Sequence, residues 1–203
     1  MKHAVFALGC TVLLSSGAFA QNGTPEANIC AVESWCNSTC LAAGTMITTV
    51  DNKTRPIEQI NQGDRVLSLE SSPNGGSLNS YRTSLNLQKT MVAEVLEKTS
   101  TPLQGRAMME LRVASGQVLR ATENHPIITS SGVRAMGNLN VGDTVYTDKG
   151  ISAVTSIKTV DYSGNVYNLA TSNVNKNTVV GYGVFYANGI LVGDLNAQRA
   201  LGY

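Results

Sequence analysis

Charge and aromatic rings are both scarce in this chain. Of its 203 residues 14% are charged and 5% aromatic, and Lys+Arg 15 against Asp+Glu 14 leaves a formal charge of +1. There is no basic excess to hold a phosphate backbone or an anionic membrane surface. Rings for stacking single-stranded bases are as poorly supplied, because past residue 20 the only Phe and Trp are Phe185 and Trp35. No nucleic-acid partner is expected. Histidine is limited to His3 and His125, and no cofactor motif or metal-ligand spacing is present, so no cofactor and no metal are expected. What the chain does have is 42% hydrophobic residues, enough for one ordinary core built from Val, Ile, Leu, Met and Tyr.

The first twenty residues read as a secretory signal peptide. Lys2 is a short basic start, residues 4–14 are apolar, and Ala18-Phe19-Ala20 is a small-x-small cleavage site before Gln21. The apolar run is too short for a bilayer, which takes about 18 or more such residues. Lipid attachment at Cys10, early in that run, is the lesser alternative. Removing Lys2 balances the charges at 14 and 14. The apolar stretch 179–192 is broken by Gly181, Gly183 and Asn188-Gly189, so no membrane contact is expected after signal cleavage, and the protein is expected in the periplasm or secreted. Export exposes thiols to an oxidising compartment. Three cysteines follow the signal, Cys30, Cys36 and Cys40, and an odd number leaves one outside any internal disulfide. Spacing allows Cys40 to bridge to either partner, or Cys30 to bridge to Cys36 with Cys40 kept as a thiol, and the second suits a cysteine that must react after export.

Helical periodicity is almost absent. Short runs rich in Val, Ile, Leu and Thr lie at 65–69, 91–96, 108–113, 117–121, 126–129, 144–147, 154–160, 166–170, 179–186 and 189–192, bounded by Gly, Asn, Asp and Ser. The pattern predicts an all-β fold. Ala114-Ser115-Gly116 and Asn188-Gly189 carry hairpin chemistry, and 70–84 is the longest polar insert. The chain also repeats itself: the segment Ile57 to Val66 returns as Met136 to Val145, both apolar-x-x-apolar-x-x-Gly-Asp-x-Val. Met46-Ile47-Thr48-Thr49 corresponds loosely to Ile127-Ile128-Thr129-Ser130. Two half-domains related by a pseudo-two-fold axis are predicted, with Asp64 and Asp143 as turn residues.

Five features then fall in order: Cys40-Leu41-Ala42-Ala43-Gly44-Thr45, the Gly63-Asp64 turn, Thr122-Glu123-Asn124-His125-Pro126, Val166-Tyr167-Asn168-Leu169, and Phe185 to Val192 with Asn188-Gly189 inside. Their order and spacing resemble the Hint superfamily, the Hedgehog and intein autoprocessing domains with their bacterial intein-like relatives. The resemblance runs from Cys40 to Asp194. With the signal peptide at 1–20, this leaves a leader at 21–39, a Hint domain at 40–194 and a C-terminal tail at 195–203. It implies a compact, pseudo-two-fold β fold with Cys40, Thr122 and His125 meeting at the centre.

The residues suit the implied chemistry. A thiol attacks the carbonyl of its own preceding peptide bond readily and holds the acyl group as a thioester. Here that bond is Thr39-Cys40. The leaving nitrogen must gain a proton, which an imidazole such as His125 can deliver near neutral pH. Thr122 is placed to bond the scissile peptide or the developing oxyanion. The far end departs from splicing domains, which usually finish in His-Asn after the apolar strand, whereas this chain has Gly193-Asp194. Leu195 offers no acceptor atom for a transferred acyl chain, and Gly183 stands where a helper His is expected. Full splicing is therefore disfavoured, and the expected activity is single-turnover, cysteine-dependent autoproteolysis at Thr39-Cys40. Water or an external nucleophile resolves the thioester, with Asp194 as candidate activating base, and the substrate is the protein's own chain. A silent β domain with a binding or structural role is the competing class, and a trans-acting cysteine hydrolase is the weakest.

Overall fold

The computed structural model describes residues 40–73, 85–172 and 183–202. The signal peptide, the leader with Cys30, Trp35, Cys36 and Thr39, most of the polar insert, 173–182 and Tyr203 lie outside the described residues. Among the described residues no helix is long and apolar enough to cross a membrane.

Among the described residues twelve strands form one antiparallel network: β1 Leu41–Ala42, β2 Met46–Thr48, β3 Thr54–Pro56, β4 Arg65–Pro73, β5 Leu85–Val113, β6 Val118–Ala121, β7 Pro126–Thr129, β8 Gly132–Ala135, β9 Thr144–Thr147, β10 Gly150–Thr171, β11 Val184–Ala187 and β12 Ile190–Gly193. Among the described residues an α-helix, α1 Leu195–Leu201, follows β12. The principal core joins Leu41 of β1, Ile47 of β2, Leu111 of β5, Ile127 of β7, Phe185 of β11 and Val192 of β12. Tying the first strand to the last two brings both ends of the domain to one centre.

Two long strands replace four predicted short ones. The runs 91–96 and 108–113 belong to β5, while 154–160 and 166–170 belong to β10. The connecting stretches pair with each other, Tyr162 with Arg106 and Val166 with Thr101, so the ladder satisfies their backbone groups although their side chains carry no apolar pattern. Part of the polar insert is likewise strand, since Ser71 to Pro73 pairs with Leu87 to Leu85. The Asn188-Gly189 hairpin forms as its chemistry predicts, with φ of 48° and 74° at its two residues.

The internal repeat is a repeat of hydrogen bonds. Asn61 N–H donates to Asp64 Oδ2 at 2.8 Å, and Asn140 N–H donates to Asp143 Oδ2 at 2.8 Å. Gly63 N–H donates to the Val95 carbonyl (2.8 Å), and Gly142 N–H to that of Val154 (2.9 Å). Asp64 and Asp143 are thus turn residues that start β4 and β9 on their partner strands, and each carboxylate also pairs with an arginine, Arg55 or Arg134. The alignment of the preceding segments needs correction by one residue. Met46 pairs with Pro56 where Pro126 pairs with Ala135, and Thr49 bridges to Val66 where Thr129 pairs with Val145. Met46 therefore corresponds to Pro126 and Thr49 to Thr129. A slip of one residue would turn every side chain of the strand to the wrong face, so burial selects this register over the looser sequence match.

The corrected symmetry extends into the central turn. Thr45 N–H donates to the Ala42 carbonyl at 3.2 Å, and His125 N–H donates to the Thr122 carbonyl at 3.1 Å. The Thr45 carbonyl then accepts from Ile57 N–H at 2.8 Å, as that of His125 does from Met136 N–H at 2.9 Å. Thr122 and His125 are the symmetry counterparts of Ala42 and Thr45. One half contributes the thiol, and the other contributes the hydroxyl and the imidazole.

Candidate active site

Cys40 opens the first half immediately before β1, which is held on both sides: Leu41 pairs with Tyr167 of β10 and with Ala121 of β6. Its side chain is 3% exposed, in a small apolar cluster with Ala42, Leu103, Met108 and Val166. Thr122 binds the Cys40 backbone at two points. Its Oγ1 accepts from Cys40 N–H at 2.8 Å, and its own N–H donates to the Cys40 carbonyl at 2.9 Å. Of the two positions open to Thr122 on sequence grounds, the hydroxyl takes the nitrogen of the Thr39-Cys40 bond.

His125 lies three residues on, at the close of the same turn, and is fully buried. Its main chain is fixed through the Thr122 and Met136 bonds, and the following Pro126 restricts it to extended backbone. The fourth candidate comes from the other end of the chain. Val192 of β12 pairs with Ile127 of β7, and continuing that antiparallel register sets Asp194 opposite His125.

Asp194 is fully buried and has three donors. Oδ2 accepts from Thr171 N–H at 2.8 Å and from the Thr171 hydroxyl at 3.0 Å, while Oδ1 accepts from Ala197 N–H at 2.8 Å as the N-cap of α1. Burial nonetheless dominates, pushing its pKa up to about 6 against the lowering by these bonds. Gly183 acquires a physical reason here. A Cβ at that position would overlap the Thr171 hydroxyl and the Asp194 carboxylate, closer than real Cβ contacts come. The space a side chain at 183 would need is filled by the Asp194–Thr171 pair.

Residues 195–201, expected as part of a tail, are instead packed into the domain as α1. Leu195, Ala197 and Leu201 are buried, the last against Ile128, Val184 and Leu191. Sequence reading also passed over Thr171 and Gln198. Thr171 ends a strand of high β propensity and carries no signal of its own, and α1 is too short to show helical period. Among the described residues no group of three or more His, Cys, Asp or Glu side chains could hold a metal ion.

Structural comparison defines the class. The fold is the Hint fold of inteins and intein-like domains. The solution structure of a bacterial intein-like domain from Clostridium thermocellum matches with a TM-score of 0.58 at 23% identity, over 77% of this chain and 99% of that one. A DnaB intein from Synechocystis matches with a TM-score of 0.56 at 16% identity, over 77% and 99% of the two chains. The gp41-1 intein matches at 0.53 and 18%, over 76% and 98%. No protein-family model matches the sequence, and no curated protein does.

Proposed function

We propose that this domain cuts its own chain at Thr39-Cys40 through a thioester on Cys40. A shared fold does not fix chemistry, so the reading rests on the site. The observation that carries it is the Cys40 N–H bond to Thr122 Oγ1 at 2.8 Å, at a buried cysteine, with buried His125 closing the same turn. In the first step the Cys40 sulfur bonds to the Thr39 carbonyl carbon and the bond from that carbon to the Cys40 nitrogen breaks. The thiol proton ends on the departing amine, with His125 as carrier. Water then opens the thioester, leaving a carboxylate on Thr39 and the thiol on Cys40. Thr122 holds the leaving nitrogen in place throughout. The leader 21–39 is released from an exported protein, and a Cys30–Cys36 disulfide would leave Cys40 available for this step in an oxidising compartment.

The reaction stops there, without splicing. Asp194 has no amide to cyclise, its oxygens are engaged by Thr171 and Ala197, and the chain beyond it is buried as α1. A thioester with no internal acceptor should be open to outside nucleophiles. Hydroxylamine at neutral pH is expected to speed release of the leader at least severalfold and to leave a hydroxamate on Thr39. Release at an unchanged rate with no hydroxamate would sink the thioester.

Asp194, with a pKa of about 6, is mostly ionised at neutral pH and can take a proton from the attacking water. Asp194→Asn should slow hydrolysis and flatten the rise in rate across pH 6. The same variant has a stability signature. A folded-state pKa raised from 3.8 to about 6 favours the folded state below pH 4, and that contribution is lost as pH rises through 6. The two-unit shift corresponds to roughly 3 kcal/mol. Asn supplies one acceptor oxygen where Thr171 and Ala197 need two, leaving a buried donor unmet at about 1–3 kcal/mol. Parent and variant should therefore be similar in stability at pH 7, with the parent ahead at pH 4. Glu110, whose pKa the Arg120 and Arg112 bonds lower, acts in the opposite sense but is common to both proteins. Denaturation midpoints at the two pH values check this, and a gap independent of pH would contradict the assigned ionisation.

A further inference from the structure

We propose that Gln198 of α1 is a positioning residue for the Cys40 segment, acting through Asn168; the role of Cys40 in it rests on the self-cleavage reading. The β1–β10 ladder pairs Leu41 with Tyr167 and Ala42 with Val166. Continued by one residue, it sets Cys40 opposite Asn168, and directly opposed residues of an antiparallel pair point to the same face. Cys40 and Val166 do share one cluster, and Asn168 follows Val166 by two on that face.

Asn168 is fully buried, and its amide is held at both ends. Its Oδ1 accepts from Leu169 N–H at 2.8 Å, and its Nδ2 donates to Gln198 Oε1 at 2.9 Å. Buried amides must keep their partners, so this pair fixes the rotamer of the side chain across from the nucleophile. Gln198 is itself anchored, because its own N–H donates to the Asp194 carbonyl at 3.0 Å and the Asp194 side chain is tied to Thr171. Residues 194–201 thus reach two points on β10, Asn168 through Gln198 and Thr171 through Asp194. Loss of the Gln198 oxygen releases the Asn168 amide from that bond, and the wall facing Cys40 loses its fixed geometry.

Misplacement by about an ångström near a reacting group can cost about a hundredfold in rate. Gln198→Ala in the full chain is expected to slow leader release tenfold or more. Gln198→Glu keeps the acceptor oxygen and is expected to restore most of the rate. Leu201→Ala weakens α1 without touching the amide pair and serves as the control for helix stability. A second readout does not need cleavage: the pH profile of iodoacetamide alkylation at Cys40 should shift in Gln198→Ala and stay in place in Leu201→Ala. If the parent does not cut its chain, the function reading fails and the alkylation profiles alone decide the positioning role. Parental behaviour of Gln198→Ala, no rescue by Gln198→Glu, or an equal shift in Leu201→Ala would each overturn it.

Discussion

Cys40→Ala is expected to abolish cleavage between Thr39 and Cys40 and to leave the domain folded. An acyl shift from nitrogen to sulfur needs the thiol of the residue whose own nitrogen departs, which at this bond is Cys40, so the rate should fall to that of uncatalysed amide hydrolysis, not by a partial factor. Structure should survive because the side chain lies among Ala42, Leu103, Met108 and Val166, apolar surroundings that an alanine fits. The lost packing is small, about 1 kcal/mol. β1 stays anchored through its main chain, by the Leu41 pairings and by Thr122 on the Cys40 carbonyl. The check is a time course of leader release read beside the thermal unfolding curve. Cutting at the same bond in the variant would assign the nucleophile elsewhere.

Gly183→Ala is expected to carry a large stability cost, about 3 kcal/mol from overpacking and disturbed buried hydrogen bonds together. The cause is space. The added methyl would occupy the position of the Thr171 hydroxyl and the Asp194 carboxylate, and neither can withdraw without breaking the bonds that hold them. Asp194 N–H also donates to the Gly183 carbonyl at 2.9 Å, so the backbone there is pinned and cannot drift to make room. A histidine at 183 would fare worse. Denaturant titration measures the effect, and a midpoint within error of the parent would show that this corner of the site is looser than described. Position 183 stays without a side chain because Asp194 and Thr171 fill its space.

The parts of this fold legible in the sequence are those set by local chemistry. Gly63-Asp64 and Gly142-Asp143 could be read as paired turns because glycine backbone and an aspartate accepting from a nearby N–H are properties of a few adjacent residues. Asn188-Gly189 was legible for the same reason. The lengths of β5 and β10 were not, because the middle of each strand is stabilised by its partner's backbone and leaves no apolar rhythm to count. The register of Met46 to Thr49 was off by one, since four residues of Met, Ile and Thr match their counterparts nearly as well either way until the ladder decides. Of the candidate site residues, Cys40, Thr122 and His125 could be named from motif order and Asp194 from its position alone. Thr171 and Gln198, which bond to Asp194, are ordinary residues whose contacts exist only once β10 and α1 meet, and Asn168, though part of a motif, gains its Gln198 bond only there. The tail reading of 195–201 failed on the same ground, because a seven-residue helix is stabilised by tertiary packing and its N-cap, not by a pattern within itself.

One measurement bears most directly on self-cleavage at Thr39-Cys40: the intact mass of the purified protein after export, with its N-terminal residue determined. Self-cleavage gives a chain beginning at Cys40, with the leader Gln21 to Thr39 recovered as a separate peptide. A stable chain beginning at Gln21 that retains its mass on prolonged incubation, with Cys40 reduced and hydroxylamine present, would contradict it and leave a silent β domain in its place.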